Sequence, residues 1–192
     1  MKQTANGFGT PDLGAARLNK RLVRPSALAI KADTSKSYEM AVLGRGMVMQ
    51  PGAGVGWMQF RVVATPYPGC VAIGLVPADA SVADDQYPGH GAGSGGWSGY
   101  GAVYWTLRCP TPPEAIVKFG QGDRVMLVLD CRAEPLLRLL VNSRPCLVHS
   151  LAAAPPATVC PAVALYGSSY DGAACVELEP ASLPPSWDDP PS

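Results

Sequence analysis

Gly122-Asp123-Arg124-Val125-Met126-Leu127-Val128-Leu129-Asp130, followed by Leu136-Leu137-Arg138-Leu139-Leu140-Val141-Asn142-Ser143, is the stretch that decides the fold of this 192-residue chain. Gly122-Asp123 is a turn signal, and the run after it places Val125, Leu127 and Leu129 on one face, the period-two spacing of a strand. Cys131 to Glu134 turns the chain, and Leu136 to Val141 returns as a hairpin partner. Asn142-Ser143 then turns it again into Cys146 to Leu151.

Outward from this hairpin the pattern repeats. Downstream, Cys160 to Tyr166 and Ala174 to Leu178 are strand runs joined across Gly167 to Gly172. Upstream, short apolar runs at Ala27 to Lys31, Tyr38 to Leu43, Met47 to Gln50 and Val55 to Ala64 end at turn clusters, and Ala102 to Leu107 adds one more. Cys70 to Val76 is almost wholly apolar at strand length, which predicts a central strand buried on both faces. Between Pro77 and Tyr100 lies a glycine-rich stretch, PADASVADDQYPGHGAGSGGWSGY, longer than a mere connection and of the kind that carries function. About ten to twelve short strands with no substantial helix predict an all-β chain, two antiparallel sheets packed as a sandwich.

Composition agrees. Twenty-one glycines and twenty prolines exclude long helices, while 47% hydrophobic and 16% charged residues exclude a disordered chain. The sequence divides into an extended basic arm (1–25), a sandwich domain (26–180) and a proline-rich acidic tail (181–192) whose one large anchor is Trp187. Fifteen basic residues balance fifteen acidic ones, so no nucleic-acid partner is expected, and no apolar run is long enough for membrane insertion. The start of the chain does not resemble a secretory signal. Six scattered cysteines without a CxxC pair are read as reduced thiols, and an intracellular, cytoplasmic protein is expected. The basic stretch around Arg17, Lys20, Arg21 and Arg24 leaves a mitochondrial alternative, and a ciliary one stays open.

Enzyme signatures fail one by one. Gly52, Gly54 and Gly56 are followed by no Lys-Ser/Thr and no helix, there is no GxSxG, and Asp84-Asp85 and Asp188-Asp189 lack cation-binding spacing. His90 and His149 stand near no cysteine at metal-ligand spacing, so no metal or other cofactor is expected.

The motif order resembles the SPRY (B30.2-type) domain. Gly122 to Asp130 followed by Leu137 to Ser143 is similar to that family's glycine-aspartate strand and "LDxxxxxLxFxxNG", Cys160 to Tyr166 to its "YPAVSL" strand, and Cys175 to Leu178 to its closing strand. Trp57 to Val62 resembles "WYFEV" and Val71 to Leu75 "xxIGV"; Leu139 or Leu140, Ser143 and Gln59 depart from the pattern, as in a divergent member. The resemblance implies a bent, concanavalin-like sandwich and a non-catalytic module that binds a peptide or protein through loops at one edge, as a subunit or adaptor in a larger assembly. It also implies contacts at Tyr87 and at Tyr166-Gly167.

The candidate binding residues are therefore Tyr87, Pro88, His90 and Trp97 in the long loop and Tyr166, Gly167 and Tyr170 beyond the "PAVSL"-like strand. Tyr87 precedes a Pro-Gly turn that can hold its ring outward, and tyrosine suits interface centres. Trp97, one large ring among glycines, reads first as a loop anchor and second as a ligand contact. A carbohydrate-binding, lectin-like sandwich is the alternative, with Asp84, Asp85 and Tyr87 as its candidate ligands.

Overall fold

The computed structural model describes residues 16–33, 37–67, 69–83, 85–106, 117–151, 157–168 and 172–191. Among the described residues fifteen strands, numbered in chain order, form two antiparallel sheets. The first runs β1 (Arg17–Leu18), β4 (Tyr38–Val42), β13 (Thr158–Ser168), β7 (Val71–Pro77), β8 (Gly95–Ser98) and β9 (Val103–Trp105), with β5 (Met47–Val48) and β14 (Gly172–Ala173) also paired to β13. The second runs β12 (Arg144–Ser150), β11 (Leu136–Val141), β10 (Arg124–Cys131), β6 (Gly54–Ala64), β15 (Cys175–Glu179), β3 (Ala29–Ala32) and β2 (Leu22–Val23).

The hairpin that opened the sequence reading is β10 and β11, in register from Val125 opposite Val141 to Asp130 opposite Leu136. The turn from β11 into β12 places Asn142 at φ 52° and Ser143 at φ 67°, the left-handed pair that a two-residue turn needs to follow the strand twist. Asn142 fits because its amide also works: its Oδ1 accepts from Arg124 N at 3.0 Å and its Nδ2 donates to Asp123 at 2.8 Å.

Alternating residues from the two sheets meet in one core. Ile73, Leu75, Trp97, Val163 and Leu165 of the first sheet face Ile30, Met58, Phe60, Leu127, Leu129 and Leu137 of the second, all buried. Each such side chain contributes about 1.5–3 kcal/mol by leaving water.

Both outer faces carry apolar residues too, and each is covered. On the first sheet Met40, Val42, Ala72, Val76, Ala162 and Ala164 lie beneath Ala78, Ala80, Val82 and Tyr87 of the β7–β8 loop. On the second, Val55, Met126, Val128 and Leu140 lie beneath Ala181, Leu183 and Trp187 of the tail, which contains a 3-10 helix at Pro185–Asp188. This double burial explains why β7 and β10 read as nearly continuous apolar runs.

Two segments differ from the sequence reading. Residues 77–100 are not one loop, because Gly95–Ser98 forms β8 between β7 and β9. Strand propensity does not reveal it, since glycine weakens strands unless another backbone comes close. Part of the expected arm is likewise built into the sandwich. Arg17–Leu18 pairs with β4 and Leu22–Val23 with β3, so residues 17–23 cross from one sheet to the other. The Arg17 guanidinium adds hydrogen bonds to the carbonyls of Ala78 and Ala80. Two-residue pairings are too short to show periodicity. Residues 1–15 lie outside the described residues, as does Cys109; Cys70, Cys131, Cys146, Cys160 and Cys175 are free thiols.

Candidate binding face

Register brings the first tyrosines together. Tyr38 opens β4 directly opposite Tyr166 on β13, and their rings meet edge-on with centroids 5.6 Å apart. Tyr87 joins them from the β7–β8 loop, 5.5 Å from Tyr38, and lies 4.7 Å from Tyr104 of β9. Tyr67, in the β6–β7 turn, packs 5.8 Å from Tyr166, and the Tyr100 hydroxyl is 3.1 Å from that of Tyr104. Six of the seven tyrosines of the chain thus form one continuous series. Its two ends, Tyr67 and Tyr100, are 40% and 48% exposed and line one open cleft of about 700 Å³ with Phe119 and Lys118.

The loop that brings Tyr87 is seated on glycine. A Cβ at Gly74 would lie 2.6 Å from Gly96 Cα and 2.8 Å from Pro88 Cβ, and one at Gly96 would lie 2.7 Å from Pro88 Cβ. Both strands must be bare there for Pro88 to sit flat on the sheet and hold the adjoining Tyr87 in place. The side chain of Ser94 accepts from Gly89 N at 2.9 Å and closes the turn.

Three of the phenols on this face, Tyr38, Tyr67 and Tyr104, hold their protons more tightly than usual. Burial pushes the Tyr38 hydroxyl well above its ordinary range, with neighbouring phenols adding to it, and the hydroxyl donates to the carbonyl of Gly69. Burial, then Cys70 and Tyr166, raises Tyr67 in the same sense. Tyr104 is pushed up to about 12 by burial and then by its contact with Tyr100. Such a face offers amphipathic rings with hydroxyl tips, suited to apolar side chains and backbone carbonyls.

The expected site residues are thereby sorted. Tyr87 and Tyr166 do stand on one face, linked through Tyr38. His90 is exposed beside them, its ring 5.1 Å from Tyr87 and its Nδ1 3.2 Å from Gln86 Oε1. Pro88 is buried beneath the loop and supports it. Gly167 is buried where the Asp33 carbonyl comes too close for any side chain. Trp97 is fully buried in the core between the sheets, so it anchors β8 and presents no surface to a ligand. Tyr170 and Asp84 lie outside the described residues; Asp85 is exposed in the loop.

Sequence reasoning missed Tyr38, Tyr67, Tyr100 and Tyr104. Tyr104 sits in a strand and reads as packing. Tyr38 gains meaning only from its pairing with Tyr166, which period-two alternation marks as outward-facing but does not place. Among the described residues, no three His, Cys, Asp or Glu side chains group so as to hold a metal ion, and no helix is long and apolar enough to cross a membrane.

No protein-family model matches the sequence, and no curated protein matches it either. Solved structures do match. A human SPRY domain superposes with a TM-score of 0.63 at 18% sequence identity, covering 83% of this chain and 95% of that one. The SPRY domain of human HERC1 superposes at 0.62 with 16% identity, covering 90% and 99%. The chain has a SPRY-type fold. The carbohydrate recognition domain of Emp47p shares the sandwich more distantly, with a TM-score of 0.54 at 15% identity over 88% of this chain and 90% of that one. At these identities a SPRY-type sandwich is established as architecture, and its use must be argued from the tyrosine face.

Proposed function

We propose that this SPRY-type sandwich is a non-catalytic interaction module that binds a protein or peptide on its tyrosine face, as a subunit or adaptor of a larger assembly. The observation that carries the reading is the series of six tyrosines, half-buried in the middle and exposed at both ends, on one outer face. Interface centres favour tyrosine because it gives much contact area for little lost rotamer freedom and retains a hydrogen-bonding tip. The rings are already packed on one another, so little ordering remains to offset affinity on binding. Free buried thiols at Cys70, Cys131, Cys160 and Cys175 suit a reducing, intracellular setting.

The test compares the full-length chain with its Tyr87→Ala/Tyr166→Ala variant in quantitative affinity capture, with a glycan array in parallel. Captured proteins should fall at least about tenfold in the folded double variant, as loss of two central aromatic contacts implies. Unchanged capture would move the site elsewhere. Specific glycan binding without protein partners would favour the lectin-like alternative, to which the Emp47p likeness and the exposed rings of Tyr67 and Tyr100 lend some support.

A further inference from the structure

The other outer face holds a second aromatic arrangement of different chemistry. Val55, Met126, Val128 and Leu140 make an apolar floor on the second sheet, and Trp187 of the tail lies on it, only 5% exposed. The guanidinium carbons of Arg132 and Arg138 stand 4.7 and 5.6 Å from the Trp187 ring centroid, a double cation–π contact. The next residue, Asp188, bridges the same two arginines at 3.1 and 2.9 Å. Trp57 Nε1 donates to the carbonyl of Ala181 at 2.8 Å and fixes where the tail enters.

The tail is held as a ligand is held. No strand follows Glu179 among the described residues, and the amides of Trp187 and Asp189 bond back to Pro184 and Ser186 within the tail itself. Its grip combines the Trp187 ring, the Asp188 carboxylate, apolar contacts of Ala181 and Leu183, the Trp57 contact and a 3.4 Å hydrogen bond from Ser186 Oγ to the carbonyl of Ser143. The receptor is organised beforehand. Arg132 is locked to Asp130 through two nitrogens at 2.9 and 2.7 Å. The Arg138 side chain is 9% exposed, and its Nε has no hydrogen-bond partner among the described residues. The segment Leu183-Pro184-Pro185-Ser186-Trp187-Asp188-Asp189-Pro190-Pro191 is stiffened by prolines on both sides of the ring, which lowers the entropy lost on docking.

We propose that this face is a peptide-docking groove for a proline-flanked segment carrying tryptophan followed by an acid, and that the tail occupies it in cis until a partner segment of the same chemistry displaces it. The observed seat defines the occupant: an apolar floor for the indole, two cations around its rim, and a bridging site for the carboxylate that follows. The groove is independent of the tyrosine face, so either reading can fail alone.

The experiment uses the full-length chain and a labelled peptide of residues 181–191. Trp187→Ala removes the cis ring and leaves the groove, so this variant should bind the peptide at least about tenfold more tightly than wild type does, the peptide now competing with a weakened tail. Binding should be lost when the peptide's own tryptophan becomes alanine and should weaken with added salt, because the Asp188 bridge is half-exposed. A folded Trp187→Ala protein that binds no better than wild type overturns the proposal. Hydrogen exchange on wild type provides a test that does not depend on the variant folding. The Trp187 amide should exchange through a local opening well before the amides of β10, and exchange only by global unfolding would make the tail part of the fold and sink the idea. A concentration-dependent wild-type dimer with exchanged tails would also overturn it, by replacing the partner with a second copy.

Discussion

The two outer faces of the sandwich solve one physical problem in opposite ways. Each exposes apolar side chains that water would leave unfavourably hydrated, and each is covered by a segment outside the sheets. The first sheet is covered by a loop tied at both ends to strands, with Pro88 set against bare glycine backbone, and it presents tyrosine rings beside the exposed His90 and Asp85. The second is covered by the segment after β15, with Trp187 held against two arginines that Asp188 bridges. Close backbone fit distinguishes the first cover, whereas cation–π and ion-pair contacts are added to apolar burial in the second. Backbone contact resists removal, whereas a half-exposed ion pair is open to competition and to salt.

The largest effect that separates the two should come from Gly74→Ala. The added methyl meets Gly95 and Gly96 backbone as well as Pro88, none of which can move aside cheaply. A loss of about 3 kcal/mol is expected in chemical denaturation. The Tyr87 ring should lose its fixed position with it. A value near zero would mean that Pro88 is not seated as described and would blur the contrast between the faces.

A smaller effect distinguishes the faces by pH. Tyr104 holds its proton to about 12 in the folded state against an ordinary value of 10.0. A group whose folded pKa is raised contributes stability fully present below its unfolded pKa, and that stability is lost as pH rises from about 10 to about 12. Because the ring is half-exposed, solvent screening reduces the contribution to about 1 kcal/mol. Tyr104→Phe should flatten this alkaline limb, read by melting temperature together with phenolate absorbance; an unchanged limb would remove Tyr104 as its cause.

The smallest effect lies on the acid side and belongs to the other face. Burial alone would raise the Asp130 carboxyl, but hydrogen bonds from Arg132 and the charges of Arg132 and Arg138 outweigh it and hold it below its ordinary value of 3.8. Stability from such a depressed group is present above 3.8 and is lost as pH falls through the lower folded value. Asp130→Asn should remove that part of the acid limb and loosen Arg132 beneath the tail. Equal acid titration of the tail contacts in both proteins would show that Asp130 does not brace the groove.

The strands were the most legible part of the molecule, for reasons visible at particular residues. Val125, Leu127 and Leu129 recur at period two because one face of β10 meets the core, the residues between them are apolar because the tail covers the other face, and the left-handed pair Asn142-Ser143 marks its own turn. Strand β8 is hidden from the sequence because Gly96 is bare for Pro88, 8 residues before it, and for Gly74 of β7, 22 residues before it, contacts that no local pattern announces. The face was half legible. The family resemblance implies Tyr87 and Tyr166, while Trp97, which the sequence offers first as a loop anchor and second as a ligand contact, has its indole wholly in the core.

By itself, the sequence determined that this chain is a sandwich, because alternation and turn residues act over a few positions and leave their mark locally. It also determined a balanced net charge, fifteen cations against fifteen anions. Only the tertiary structure decided which tyrosines stand together and that a proline-rich end folds back onto two arginines. Tyr38, Tyr87 and Tyr166 become neighbours through strand register and loop seating, and Trp187 meets Arg132 and Arg138 across some fifty residues of chain. Contacts of that range depend on how the sheets are ordered, and order in a sheet is settled by the packing of the whole core rather than by any one segment.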